Sequence, residues 1–138
     1  MAELISLPPP KAFELLESDS SAVLIDVRSS MEYLFVGHPV GAVHIAWIDE
    51  PDWEINHNFT NEVRSAAERK SPNNSINTTI VLICRSGVRT KEAAKVLLSA
   101  GFTHVIHIDE GFEGKRDDNF QRSTLGGWRY HGLPWEQC

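Results

Sequence analysis

The chain has 138 residues, 41% of them hydrophobic, which is enough to bury one core without a second. Nineteen acidic against thirteen basic residues give a formal net charge of −6, which argues against a general nucleic-acid binder and against attraction to an anionic membrane. Two cysteines make no disulfide framework, no apolar run is long enough to span a bilayer, and the N-terminus lacks the basic start and long apolar core of a signal peptide; one domain over 1–138 in a reducing, cytoplasmic setting is expected.

In chain order, Pro8 to Pro10 starts a short helix whose apolar side is Ala12, Phe13, Leu15 and Leu16, closed by the polar turn Glu17 to Ser21. Ala22 to Val27 is an apolar run of strand length, buried on both faces, that ends in Asp26-Val27-Arg28. Ser30 is placed to cap a short helix over Met31 to Val36, with Glu32 in its first turn and in reach of Arg28 as an ion-pair partner. Gly37 and Gly41 bracket a turn at His38-Pro39-Val40 before a short strand over Ala42 to Ala46. His38 and His44 read as structural hydrogen-bonding residues, since one imidazole satisfies two groups at once.

Trp47 to Trp53 is irregular, acidic and aromatic; its two tryptophans either wall a pocket or cover the core. Asn58 to Lys70 carries Phe59, Val63, Ala66 and Ala67 at helical spacing and is stopped by Ser71-Pro72-Asn73-Asn74. The glycosylation patterns at Asn58, Asn73 and Asn77 read as chance matches, because they act only in a secretory context.

Thr78 to Ile83 is a β-branched apolar run, read as a buried strand of a parallel sheet, and Lys91 to Gly101 is an Ala-rich amphipathic helix with Gly101 at its left-handed cap. Between them stand Cys84, Arg85, Ser86, Gly87, Val88, Arg89 and Thr90. A tight loop from a strand into a helix lies at the carboxyl end of the sheet, where open α/β folds hold ligands and where unpaired N–H groups favour an anion. Those N–H groups and the two arginines favour the thiolate of Cys84, which makes it a candidate nucleophile, and Gly87 lets the loop bend without a Cβ clash.

Further on, His104 to Ile108 is a strand on which His104 and His107 have opposite parity, so they do not share a metal. Trp128 to His131 is expected to form a short helix ended by Gly132 and Pro134, with Trp128 and Trp135 as core anchors. Cys138, the final residue, is expected to be dispensable.

The loop Cys84-Arg85-Ser86-Gly87-Val88-Arg89-Thr90 resembles the active-site loop of the rhodanese family of sulfurtransferases. Three further segments resemble the family in the right order: Ala22 to Arg28 followed by Glu32-Tyr33, Gly37-His38-Pro39-Val40-Gly41-Ala42-Val43-His44-Ile45, and Gly126-Gly127-Trp128 with Gly132-Leu133-Pro134-Trp135. The resemblance implies an α/β rhodanese-like domain with a mainly parallel central sheet and helices on both faces. It also implies that Cys84 takes sulfur from a small anionic donor such as thiosulfate as a persulfide and passes it to a thiol or cyanide. Backbone N–H groups of residues 85 to 89 would stabilise the persulfide, Arg85 would attract the donor, Arg89 would shape the loop, and Asp26 and Arg28 would support the site. No metal and no organic cofactor is called for.

Asp109 to Gly114 resembles the family's turn near the cysteine, but the following Lys115 to Arg122 is longer and more charged than the compact family form, either a flap over the pocket or a solvated loop. Ala46-Trp47 also departs from the family's hydrophobic-proline ending, and whether residues 47 to 53 close over the site stays open. Two rival readings remain. A rhodanese-like binding or sensing module, or a persulfide carrier for a protein acceptor, would share the fold. A cysteine phosphatase or arsenate reductase would need an arginine six residues after the cysteine, where Thr90 stands; Arg89 is five after.

Overall fold

A computed structural model describes residues 3–137. The elements are β1 (Leu4–Leu7), α1 (Pro9–Ser18), β2 (Val23–Asp26), a π-helical turn (Glu32–Val36), β3 (His38–Pro39), β4 (Val43–His44), α2 (Phe59–Lys70), β5 (Ile80–Ile83), α3 (Arg89–Ser99), β6 (Val105–Ile108) and β7 (Trp135–Glu136). Five strands form one sheet in the order β1-β6-β5-β2-β4, and every pairing in it is parallel. A separate antiparallel pair joins β3 to β7.

Parallel strands need helical crossovers, and those crossovers cover both faces. Alternate side chains of each strand go to opposite cores. Ile25, Ile80, Leu82 and Val105 pack with Phe59, Val63, Ala66 and Ala67 of α2 and Ala93, Ala94 and Leu97 of α3. Leu24, Val81, Ile83 and Ile106 pack on the other face with Ala12 of α1, Phe112 and Trp128. The strongest expectations from periodicity, β2, α2, β5 and α3, therefore stand. Gly101 takes φ +99, and Phe102 N–H closes back on the Leu97 carbonyl at 3.2 Å, as a left-handed helix stop requires.

Several local expectations are corrected. Ser29, not Ser30, caps the turn after β2: its N–H donates to Glu32 Oε1 at 3.1 Å while its Oγ accepts from Glu32 N–H at 3.4 Å, a reciprocal capping box. Ser30 instead donates its N–H to Asp49 at 2.8 Å. Trp128 to His131 is a single turn and not a helix, closed by His131 N–H on the Gly127 carbonyl at 3.1 Å. Trp128 is buried as expected, but Trp135 is 38% exposed and lies over Gly37, where a Cβ would come within 2.8 Å of its ring. His38 and His44 are hydrogen-bonding residues, on the Tyr33 and Arg28 carbonyls respectively, each at 2.8 Å.

Along the sheet, β2 connects toward β4 on one side and β5 toward β6 on the other, so the order in which strands are added switches side between the parallel neighbours β2 and β5. Asp26 and Ile83 are register partners there. The carboxyl ends of these two strands thus open onto the crevice where α/β sheets place their sites.

Candidate functional site

Cys84 follows β5 directly and is 1% exposed, and Gly87 N–H donates to its Sγ at 3.2 Å. The loop closes this tightly because Gly87 takes φ +95 and presses on the turn after β6. A Cβ there would stand 2.1 Å from the Asp109 carbonyl oxygen. From the other side Gly111 lies against the loop, with a Cβ position only 2.6 Å from the Cys84 carbonyl. Phe112 and Glu113 then donate their N–H groups to the Cys84 and Arg85 carbonyls at 2.8 and 2.9 Å. The Asp109 to Gly114 turn therefore sits beside Cys84, as the family resemblance implied.

Beneath the loop are two residues, Thr90 and His107, that the sequence alone does not assign to the site. Thr90 is fully buried, with Oγ1 3.8 Å from Cys84 Sγ, 3.3 Å from the Gly87 carbonyl to which it donates, and 3.0 Å from His107 Nδ1. His107 is paired in register with Leu82, two residues before Cys84 and on the same sheet face. That shared parity was the available signal, but it speaks only once the pairing register is known. Burial, with the charge of Lys91 added, holds the His107 imidazole below its ordinary pKa and so neutral near pH 7.

The rim is different in character. Arg85 is exposed, Ser86 half-buried, and Val88 is 71% exposed. Arg89 makes a two-pronged pair with Glu32 at 2.7 and 2.9 Å. Burial alone would raise the Glu32 pKa, but the Arg89 hydrogen bond and charge, with Ser29 N–H, bring it down to about 2. The same partner raises Arg89 against its own burial.

Asp26 and Arg28 are both fully buried and paired to each other, Nη2 to Oδ2 at 2.7 Å and Nε to Oδ1 at 2.9 Å. This corrects the expected Arg28–Glu32 pair: Glu32 is held by Arg89 and by Ser29, while Arg28 turns inward, also reaching the Gly37 carbonyl and lying 4.5 Å above the Phe112 ring. The hydrogen bonds of Sγ go to Gly87 and Thr90, not to this pair. The pair braces Phe112, whose N–H holds the Cys84 carbonyl.

The two tryptophans divide the alternatives between them. Trp47 is buried edge-on against Phe59 at 5.2 Å, whereas Trp53 is 57% exposed and walls a cavity of about 540 Å³ together with Arg85 and Arg89. Lys115 to Arg122 folds back beside the loop, with Arg122 donating to the Gly114 carbonyl at 2.7 Å. Cys138 lies outside the described residues. Among the described residues there is no group of three or more His, Cys, Asp or Glu able to hold a metal, and no helix is long and apolar enough to cross a membrane.

Comparison with known proteins agrees with this geometry. The model of the rhodanese-like domain matches residues 9–117. An uncharacterised protein of Rickettsia conorii is 31% identical over 129 residues, covering 91% of this chain and 92% of its own. The thiosulfate sulfurtransferase GlpE of Pseudomonas fluorescens is 31% identical over 113 residues, covering 82% and 85%. The crystal structure of Rv0390 from M. tuberculosis has a TM-score of 0.83 at 34% identity over the whole of both chains. On the parallel sheet, the cysteine loop at its switch point and these matches, the chain belongs to the rhodanese-like domain family.

Proposed function

We propose that the protein is a thiosulfate-type sulfurtransferase working by double displacement at Cys84. The Cys84 thiolate attacks the outer sulfur of thiosulfate, the S–S bond of the donor breaks, and sulfite departs with its electron pair. In the second half, a thiolate or cyanide attacks the outer sulfur of the persulfide and Cys84 leaves as thiolate. Each half is a displacement at sulfur in which charge and electrons balance, with no metal or redox cofactor in any step.

The observation that carries this reading is the Gly87 N–H on Cys84 Sγ at 3.2 Å, a fixed backbone dipole aimed at the sulfur. Cys84 is 1% exposed, a degree of burial that favours a slender donor over a bulky one. Arg85, exposed beside it, supplies the charge that attracts the sulfonate end, whereas Arg89 holds the loop through Glu32. Ser86 and Val88 form the open lip, and Asp26 with Arg28 support from below. The sixth position after Cys84 is the buried Thr90, so no arginine cradles a tetrahedral phosphate, and the phosphatase alternative lacks its main group.

Intact mass after incubation with thiosulfate tests the proposal. The wild type is expected to gain one sulfur atom that cyanide or a reducing thiol removes, and Cys84→Ser to gain none, since a serine hydroxyl is a poor attacker of sulfur. An unmodified cysteine in reduced, folded wild-type protein would overturn the thiosulfate reading and favour a binding module or protein-linked carrier.

A further inference from the structure

Two cavities flank the Cys84 loop, and their charges differ. On one side, about 540 Å³, Arg85 and Arg89 face three carboxylates, Glu32, Glu50 and Glu113, and Arg89 is already paired with Glu32. On the other, about 490 Å³, Lys115, Arg116 and Arg122 face a single carboxylate, Asp117, beside Ser86 and Val88 of the loop itself. Asp117 is turned into its own segment, accepting from the N–H groups of Asn119 and Gln121 at 2.8 and 2.9 Å and from Thr124 Oγ1 at 2.7 Å. Its oxygens tie the segment together; all three cations line the cavity, Arg122 with one guanidinium nitrogen on the Gly114 carbonyl and Arg116 5.4 Å over the Phe120 ring.

Those cations are crowded. Burial, with the charges of Arg85 and Arg116 added, holds the Arg122 guanidinium below its ordinary pKa, although Glu113 opposes them. An anion placed among them would relieve that repulsion. The same cavity offers apolar surface: Phe120 is 76% exposed with φ +61, a conformation unfavourable to a side chain of its size, and Val88 is 71% exposed. Three cations with two exposed apolar groups, next to the loop that holds the reactive sulfur, match a ligand with several negative charges on a short carbon skeleton.

We propose that the cavity walled by Lys115, Arg116, Phe120 and Arg122 binds the sulfur acceptor, and that this acceptor is a small thiol carrying two or more carboxylates. The inference rests on the sulfurtransferase reading and assigns its second half-reaction. The acceptor thiolate attacks the outer persulfide sulfur, a new S–S bond forms on the acceptor, the bond to Cys84 Sγ breaks, and Cys84 regains its thiolate. The donor half uses Arg85, which lines the other cavity although its charge is also felt at Arg122, so Lys115 and Arg116 are the charges that belong to unloading alone.

The test separates the two halves. Protein loaded with thiosulfate is mixed with mercaptosuccinate or 2-mercaptoethanol at equal thiolate concentration, and loss of the persulfide is followed by mass. The wild type is expected to react faster with the dianionic thiol, and added salt to shrink the difference. In Lys115→Gln/Arg116→Gln, both exposed positions, the ratio of the two rates is expected to fall by about tenfold. Succinate, which lacks the thiol, is expected to compete with mercaptosuccinate on the wild type. Normal loading with a ratio that neither salt, succinate nor the double substitution moves would overturn the acceptor site alone. Failure to load at all would overturn the sulfurtransferase reading and this site with it.

Discussion

The floor and the rim of the Cys84 loop are built by opposite rules. Below, the loop is pressed backbone to backbone: Gly87 against Asp109, Gly111 against Cys84 and Arg85, with Thr90 and His107 filling the remaining space. Above, Arg85 and Val88 stand in solvent, and nearby side chains carry charge without close packing. The floor fixes where the sulfur and its N–H donor sit, which tolerates no added atom. The rim sets what is attracted, and charge acts over distance and through solvent, so changes there are graded.

The sharpest way to break this contrast is Gly87→Ala. Its Cβ would fall 2.1 Å from a carbonyl oxygen at a φ of +95, so persulfide formation is expected to vanish, with a destabilisation of roughly 3 kcal/mol visible in thermal unfolding. A variant that melts and loads like the wild type would mean that the floor is soft. The Arg89–Glu32 pair, between floor and rim, is expected to be intermediate. The folded pKa of Glu32, about 2, lies below the ordinary 4.5. Its stabilisation is therefore complete above about pH 4.5 and is lost as pH falls from there toward about 2. Glu32→Gln is expected to lose of order 2 kcal/mol near neutral pH and to show a smaller further drop across that acid window, read by chemical unfolding at each pH. Equal acid sensitivity in both proteins would show that the pair does not hold the loop. The smallest effect is expected on the rim: Arg85→Ala raises the KM for thiosulfate by about tenfold while kcat stays within about twofold. A loss confined to kcat would place Arg85 with the floor instead.

What could be read from the sequence follows the same division between local and distant causes. The β5 run, the glycine-bearing loop and α3 are adjacent in the chain, so their apolar period and their cap announce them, and the cap is found at Gly101. The four apolar positions of α2 are all buried for the same reason. The partner of Arg28 was misread because ion pairing depends on which way a side chain leaves the end of a strand, and Asp26, two residues away, was nearer than the helical neighbour Glu32. Trp47 and Trp53 share composition and surroundings in sequence, yet only packing against Phe59 distinguishes the buried one. Strand β1 escaped notice because it is an edge strand with no fully buried residue and Ile5 exposed, unlike the equally short but wholly buried β2 and β5; β7, with two residues, carries no period at all. His107 was considered only as a metal ligand, since the register that sets it beneath Thr90 joins segments that sequence alone does not align.

Strand β1 has a consequence for how the molecule is made. Leu4, Ile5, Ser6 and Leu7 pair with Val105, Ile106, His107 and Ile108, so β1 finds its partner only after the whole intervening segment through Ile108 has emerged. Such distant closure is slow, and until it happens the outer edge of β6 is an unpaired row of backbone donors and acceptors over an apolar strand. Another copy's β1 fits that edge as well as the chain's own. A substitution that weakens β1 therefore leaves that edge of β6 open for longer during folding, when an unpaired strand is most exposed to association.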